Sequence, residues 1–208
     1  MLKTKTQKHG ARCLFLLLFS LAFLLIPSLA AAESAGGDSP QAVFDLAQAA
    51  GAKKDFSTLA QLVAKAEQPL YAFVTDMAVG MFVEFYEGEK AEELKTKYKE
   101  TQKKFGVKED VGGEQLKITN ETPQEVIDAH IRKRAQAMYG EVDVVKYVPE
   151  VMSIVTVLPQ MAEQTFFPQE KLTDLKVDGD KAAGMAGKKK ITFVRENGRW
   201  FLSADVMN

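Results

Sequence analysis

Three side chains have the right chemistry for a proton-transferring site: Asp76, Tyr71 and His130. A carboxylate, a phenol and an imidazole can together move protons in a dehydration or isomerisation, provided they meet in a pocket and one orients another. His130 has the only imidazole outside the first 32 residues, where His9 lies. Helical spacing puts Arg134 one turn from it, and that neighbour disfavours the imidazolium and supplies no orienting carboxylate. The histidine therefore reads as a surface or core-edge residue. Ser153 lacks the strand-to-helix setting of a nucleophilic serine and reads as a buried hydroxyl bonded back to its own helix. The lone cysteine, Cys13, also lies in the first 32 residues. No zinc-type ligand set can be assembled, and no glycine loop suits a phosphate. The sequence thus assigns no catalytic residue, metal or cofactor and leans away from an enzyme.

Apolar recognition is the better expectation, and the elements that would position it can be read along the chain. Ser39 and Pro40 open a helix to about Lys53, with Val43, Phe44, Leu46 and Ala47 on its apolar face. Asp55 starts a second, short helix carrying Phe56, Leu59, Leu62 and Val63. From Pro69 the positions Leu70, Phe73, Val74, Met77, Ala78, Met81 and Phe85 recur at three and four, which predicts a helix whose stripe packs into the core. Ala91 to Phe105 is helical but polar nearly all round, the pattern of a solvated face. Lys108 to Glu121 reads as a loop, and Thr122 with Glu125 predicts a capping box opening a helix that ends at Gly140. Val142 to Leu158 is ambiguous between strand and helix. Pro149 as a first helical residue favours helix.

The tail changes character. Leu172 to Val206 predicts antiparallel hairpins, and a two-residue Asn197-Gly198 turn sets Glu196 opposite Arg199, Arg195 opposite Trp200, Val194 opposite Phe201 and Phe193 opposite Leu202. A Gly179-Asp180 loop sets Asp178 opposite Lys181, whereas the alternative loop would oppose Lys176 to Lys181. The expected fold class is α+β: a helix-rich N-terminal and middle region packed on a C-terminal, curved antiparallel meander of about four strands. Trp200, Phe193, Ile191 and Met185 are the candidate ligand-binding side chains on its concave side. Gly184 to Gly187 offers small side chains where a helix can come close.

Before all this stands a basic start (Lys3, Lys5, Lys8, Arg12), an uncharged run from Leu14 to Ile26, and Ala30 to Ala32. The pattern predicts a secretory signal over residues 1–32, cut after Ala32 or Ala30, then a flexible lead-in over 33–38 and one α+β domain over 39–208. A chain cut there carries a net charge of about −5 and no thiol, is expected in the periplasm or the medium, and is a poor match for nucleic acid. Membrane attachment is expected only if the signal stays uncut.

Helix, short helix, then L-K-V-D-G-D-K-A and I-T-F-V-R-E-N-G-R-W-F-L resembles the nuclear-transport-factor-like superfamily with its SnoaL-like and cystatin-like relatives. The likeness lies in Ser39–Leu62 and Leu172–Leu202 and leaves about a hundred residues between them unmatched. It implies a curved sheet wrapped round a helix, forming a cone that in some members holds a small hydrophobic ligand. It carries over no catalytic position. The expected function is an exported, non-catalytic domain binding a partner protein or a small apolar ligand. The rival is a dehydratase- or isomerase-like enzyme working through Asp76, Tyr71 or His130.

Overall fold

In the computed structural model, six α-helices precede a four-stranded antiparallel sheet among the described residues, which makes the chain an α+β protein. Residues 36–109, 119, 121–161 and 163–204 are described; the predicted signal and most of the loop after Glu109 lie outside them. The helices are α1 (Pro40–Lys53), α2 (Phe56–Leu62), α3 (Gln68–Phe85), α4 (Ala91–Lys104), α5 (Gln124–Tyr139) and α6 (Val144–Thr156). The strands are β1 (Leu172–Asp178), β2 (Lys181–Ala186), β3 (Lys189–Glu196) and β4 (Arg199–Leu202), joined in the order β1-β2-β3-β4.

Local chemistry sets the helix starts. The Ser39 hydroxyl accepts from the Ala42 amide at 3.1 Å, with Pro40 in the first turn of α1. The Asp55 carboxylate caps α2 through the Thr58 amide, and those bonds hold its pKa below the ordinary carboxylate value. Asp143 caps α6 at the Lys146 amide. Pro149 therefore sits inside α6 rather than opening it, because the aspartate starts the helix more than a turn earlier. The capping box at Thr122 does not form. Pro123 occupies the cap position of α5 without a side-chain bond, and the Thr122 hydroxyl accepts from the Thr119 amide instead.

The core face of α3 differs from the periodic stripe. Its buried residues are Tyr71, Ala72, Thr75, Asp76, Val79 and Val83, while Met77, Met81 and Phe85 are 50, 56 and 77 % exposed. The helix is apolar on nearly every side, so spacing alone cannot single out a face. What selects it is the set of partners that α4 and α6 offer to Asp76.

The meander has the register read from its turns: Glu196 pairs with Arg199, Arg195 with Trp200, Val194 with Phe201 and Phe193 with Leu202. Asp178 pairs with Lys181. Asn197 and Gly198 both take positive φ, as a type I′ turn requires, and the Arg195 guanidinium lies 5.8 Å from the Trp200 ring centre. One face of the sheet, with Ile191, Phe193, Trp200 and Leu202, is buried, and α1 packs against β4.

The described end of the segment read as a flexible lead-in, residues 36–38, meets this sheet at its β4 edge. Gly37 exchanges two backbone hydrogen bonds with Trp200, at 2.9 and 2.8 Å, and Arg199 donates to the Gly36 carbonyl. Gly36 lies at φ 95° with the Phe201 ring where a Cβ would stand, so its lack of a side chain lets the backbone reach β4. Ser153 bonds back to the Glu150 carbonyl as expected, but it faces solvent.

Candidate ligand-binding site

Two structures with opposite character flank the buried face of α3. On one flank Asp76, 5 % exposed, accepts hydrogen bonds from Tyr98 at 2.7 Å, from Gln102 at 2.9 Å and from Tyr147. Tyr98 and Gln102 stand one turn apart on α4, and Tyr147 comes from α6, so one carboxylate ties three helices together. Gly80 permits the approach, since a Cβ there would stand 2.6 Å from the Tyr98 hydroxyl. Burial, followed by the Asp76 charge, pushes the phenols of Tyr98, Tyr139 and Tyr147 well above their ordinary pKa. They remain protonated donors. Tyr139 of α5 closes the cluster with its ring 5.8 Å from that of Tyr147, yet its hydroxyl has no partner of normal hydrogen-bond geometry.

On the other flank lies a cavity of about 220 Å³. Its walls are Phe56 and Leu59 of α2, Tyr71, Thr75, Ala78, Val79 and Phe82 of α3, Met152 and Val155 of α6, and Met161 with Phe166 from the segment that follows. Among the described residues no charged side chain lines it, and Tyr71 and Thr75 are the hydroxyl-bearing residues of the lining. Burial pushes the Tyr71 phenol well above its usual range, so it too stays neutral. Tyr71, Thr75 and Val79 are buried, whereas Ala78 is exposed and Phe82, Met161 and Phe166 are half-buried. Tyr71, Thr75 and Val79 therefore belong to the inner wall, with the Thr75 Oγ1 itself covered by surrounding atoms, and the mouth lies beside Ala78.

The irregular wall is tied down from outside. Lys54 donates to the Met161 carbonyl at 3.0 Å and lies 6.0 Å from the Phe166 ring centre, while Gln48 donates to the carbonyls of Pro168 and Glu170. Phe166 meets Phe56 edge to face with centres 5.0 Å apart. Phe167 covers Gly51, where a Cβ would stand 2.6 Å from its own. These contacts hold Met161, at the end of a short 3-10 turn (Pro159–Met161), and the residues from 166 to 170 in place around the cavity.

No family model, curated protein or solved structure matches the chain.

The residues expected to bind ligand fall elsewhere. Ile191, Phe193 and Trp200 lie together on the buried face of the sheet but do not line the cavity. Met185 is on the opposite face, because Gly184, not Met185, stands across from Ile191. The approach that Gly184 permits is by Leu172 of the neighbouring strand, whose Cδ1 would be 2.8 Å from an added Cβ. Nor does the fold assemble the proposed proton-transfer set. Tyr71 lines the cavity, Asp76 is bonded to other partners outside its lining, and His130 sits half-buried on α5. Among the described residues no three His, Cys, Asp or Glu side chains gather to hold a metal ion.

Tyr98, Gln102, Tyr139 and Tyr147 were not foreseeable as an Asp76 cluster from charge pattern. A weaker signal was present: Leu94, Tyr98 and Phe105 recur at helical spacing in an otherwise charged segment, and Leu94 is 2 % exposed.

Proposed function

We propose that this chain is a non-catalytic, exported binding domain that holds a small apolar molecule in the cavity between α2, α3 and α6. The observation that carries the reading is the lining itself: about 220 Å³ bordered almost wholly by aromatic, aliphatic and methionine side chains. Apolar cavities of about 150 Å³ stay dry and take up benzene, because water finds too few partners in them and an apolar guest restores lost dispersion contacts. Methionine and phenylalanine walls adapt to shape. Export is supported by the basic start, uncharged run and small residues of the first 32 positions. The cone of the nuclear-transport-factor-like folds is not the basis of this site, since its walls come from helices and one irregular segment.

Calorimetric titration with ethylbenzene tests the reading. The expected result is saturable one-to-one binding together with a rise in Tm that grows with ligand concentration. Ala78→Trp places an indole at the mouth from an exposed position, so it should abolish binding while leaving the unliganded Tm nearly unchanged. Absence of binding in the parent protein, or undiminished binding in Ala78→Trp, overturns the assignment.

A further inference from the structure

Resting on that reading, we infer that the ligand is a single-chain amphiphile whose alkyl tail is longer than the cavity, leaves through the mouth at Ala78 and lies along Met81 and Phe85 of α3. Volume sets the first limit. A cavity of about 150 Å³ takes benzene, so one of about 220 Å³ accommodates about eight or nine carbon atoms. A longer tail must emerge. What it meets outside is apolar: Val74 and Phe82 stand one turn either side of Ala78, and Met81 and Phe85 follow it by three and seven residues on the same side of the helix. Phe85 lies about 10 Å beyond Ala78 along the axis.

Scattered exposed apolar residues need no explanation, but exposed Met81 and Phe85 are continuous with the mouth of an apolar cavity. The charged residue between them, Glu84, is drawn toward α4, where it meets Lys95 at 3.6 Å. Charge returns past the end of α3, at Glu87, Glu89 and Lys90, all exposed, and there a polar head finds water. The head cannot be the buried end. Among the described residues the cavity wall has no charged side chain, so the lost hydration would go unmatched. A methionine beside the mouth suits a flexible chain that bends as it leaves. A protein partner fits this face less well, because one convex helix with a few prominent side chains offers far less than the roughly 800 Å² per partner of a stable interface.

The test titrates n-alkyl maltosides of six to twelve carbons, below their micelle concentrations, and ethylbenzene into three proteins. These are the parent chain, the double variant Met81→Gln with Phe85→Gln, and Val177→Gln, which alters an exposed apolar residue of β1. Both changes place a good helix former at exposed positions of α3, so the double variant should fold as the parent does. Affinity should rise about fourfold per methylene while the tail fills the cavity, and about twofold per methylene from ten to twelve carbons, where one side of the chain is covered. The double variant should bind ethylbenzene and octyl maltoside like the parent and lose the gain from ten to twelve carbons, whereas Val177→Gln should keep it. In the parent, the Met81 methyl resonance should shift with dodecyl maltoside and stay in place with ethylbenzene. An affinity that stops rising at nine carbons, a gain that survives in the double variant, or an equal loss in Val177→Gln overturns the amphiphile assignment while the cavity stands. Self-association of the unliganded chain that the double variant abolishes gives this face to a second copy and overturns it as well. If ethylbenzene itself does not bind, both readings fall.

Discussion

Thr75 and Asp76 are consecutive residues of one helix, nearly equally buried, and they stand in opposite relation to their surroundings. Asp76 receives three hydrogen bonds from two neighbouring helices, whereas the Thr75 hydroxyl receives and gives none. A buried polar group that is fully partnered acts as structure, since it fixes the helices that supply its donors. The Thr75 hydroxyl, buried without a partner, fixes no neighbour, and its residue belongs to the wall of the apolar space instead. The difference separates the framework of this molecule from its candidate site.

Substitutions should break the two sides differently. Asp76→Ala leaves Tyr98, Gln102 and Tyr147 without their acceptor in the interior, and it should cost about 3–5 kcal/mol of stability in urea unfolding. Tyr147→Phe removes one donor and keeps the ring against Phe105 and Tyr139, so a smaller loss of about 1–3 kcal/mol is expected. Tyr98→Phe combined with it should deviate from additivity, because both phenols share one carboxylate.

Alkali should act on the same framework. The pKa of Tyr71, Tyr98, Tyr139 and Tyr147 is raised in the folded state by burial, and for the last three also by Asp76. Their contribution is therefore complete below the unfolded tyrosine pKa of about 10 and is lost as the pH rises above it. Urea midpoints measured from pH 8 to 11 should be flat at first and then fall, and the fall should be shallower in Tyr147→Phe. A fall that begins well below pH 9 would contradict this.

The smallest effect is expected at Thr75, and its sign is the informative part. Thr75→Val removes a hydroxyl that makes no hydrogen bond, so the unliganded protein should be unchanged or more stable by up to about 1 kcal/mol. A loss above about 1 kcal/mol would show that the hydroxyl has a structural partner, and the contrast with Asp76 would disappear.

The sheet was legible in advance because its turns carry chemistry that admits few registers. Asn197-Gly198 accepts the positive φ values of a type I′ turn, and the Glu196 to Arg199 and Asp178 to Lys181 pairs each reward one alignment. Helix α3 was legible as a helix but not in its orientation, because apolar residues surround it and the packed face is chosen by polar partners in α4 and α6. Asp76 and Tyr71 stood out by residue type. Their true neighbours did not, since Tyr98 and Gln102 lie within a run of lysines and glutamates that reads as solvated. The cavity has no sequence signature at all. It arises where α2, α3 and α6 fail to fill the space under Met161 and Phe166, a property of packing between distant segments.

The exposed row Met77, Met81 and Phe85 follows from the same choice of face. Turning Asp76 inward turns this row outward, and helical spacing sets Met81 and Phe85 one and two turns beyond the cavity mouth at Ala78.

The most direct test of the cavity is methyl NMR on the chain with labelled Leu, Val and Met side chains, titrated with ethylbenzene. The account predicts saturable shifts concentrated at Leu59, Val79, Met152, Val155 and Met161, with little change at Val194 or Leu202 of the sheet. Shifts centred instead on the sheet residues, or spread weakly over the surface methyls of Met77 and Met81, would contradict it.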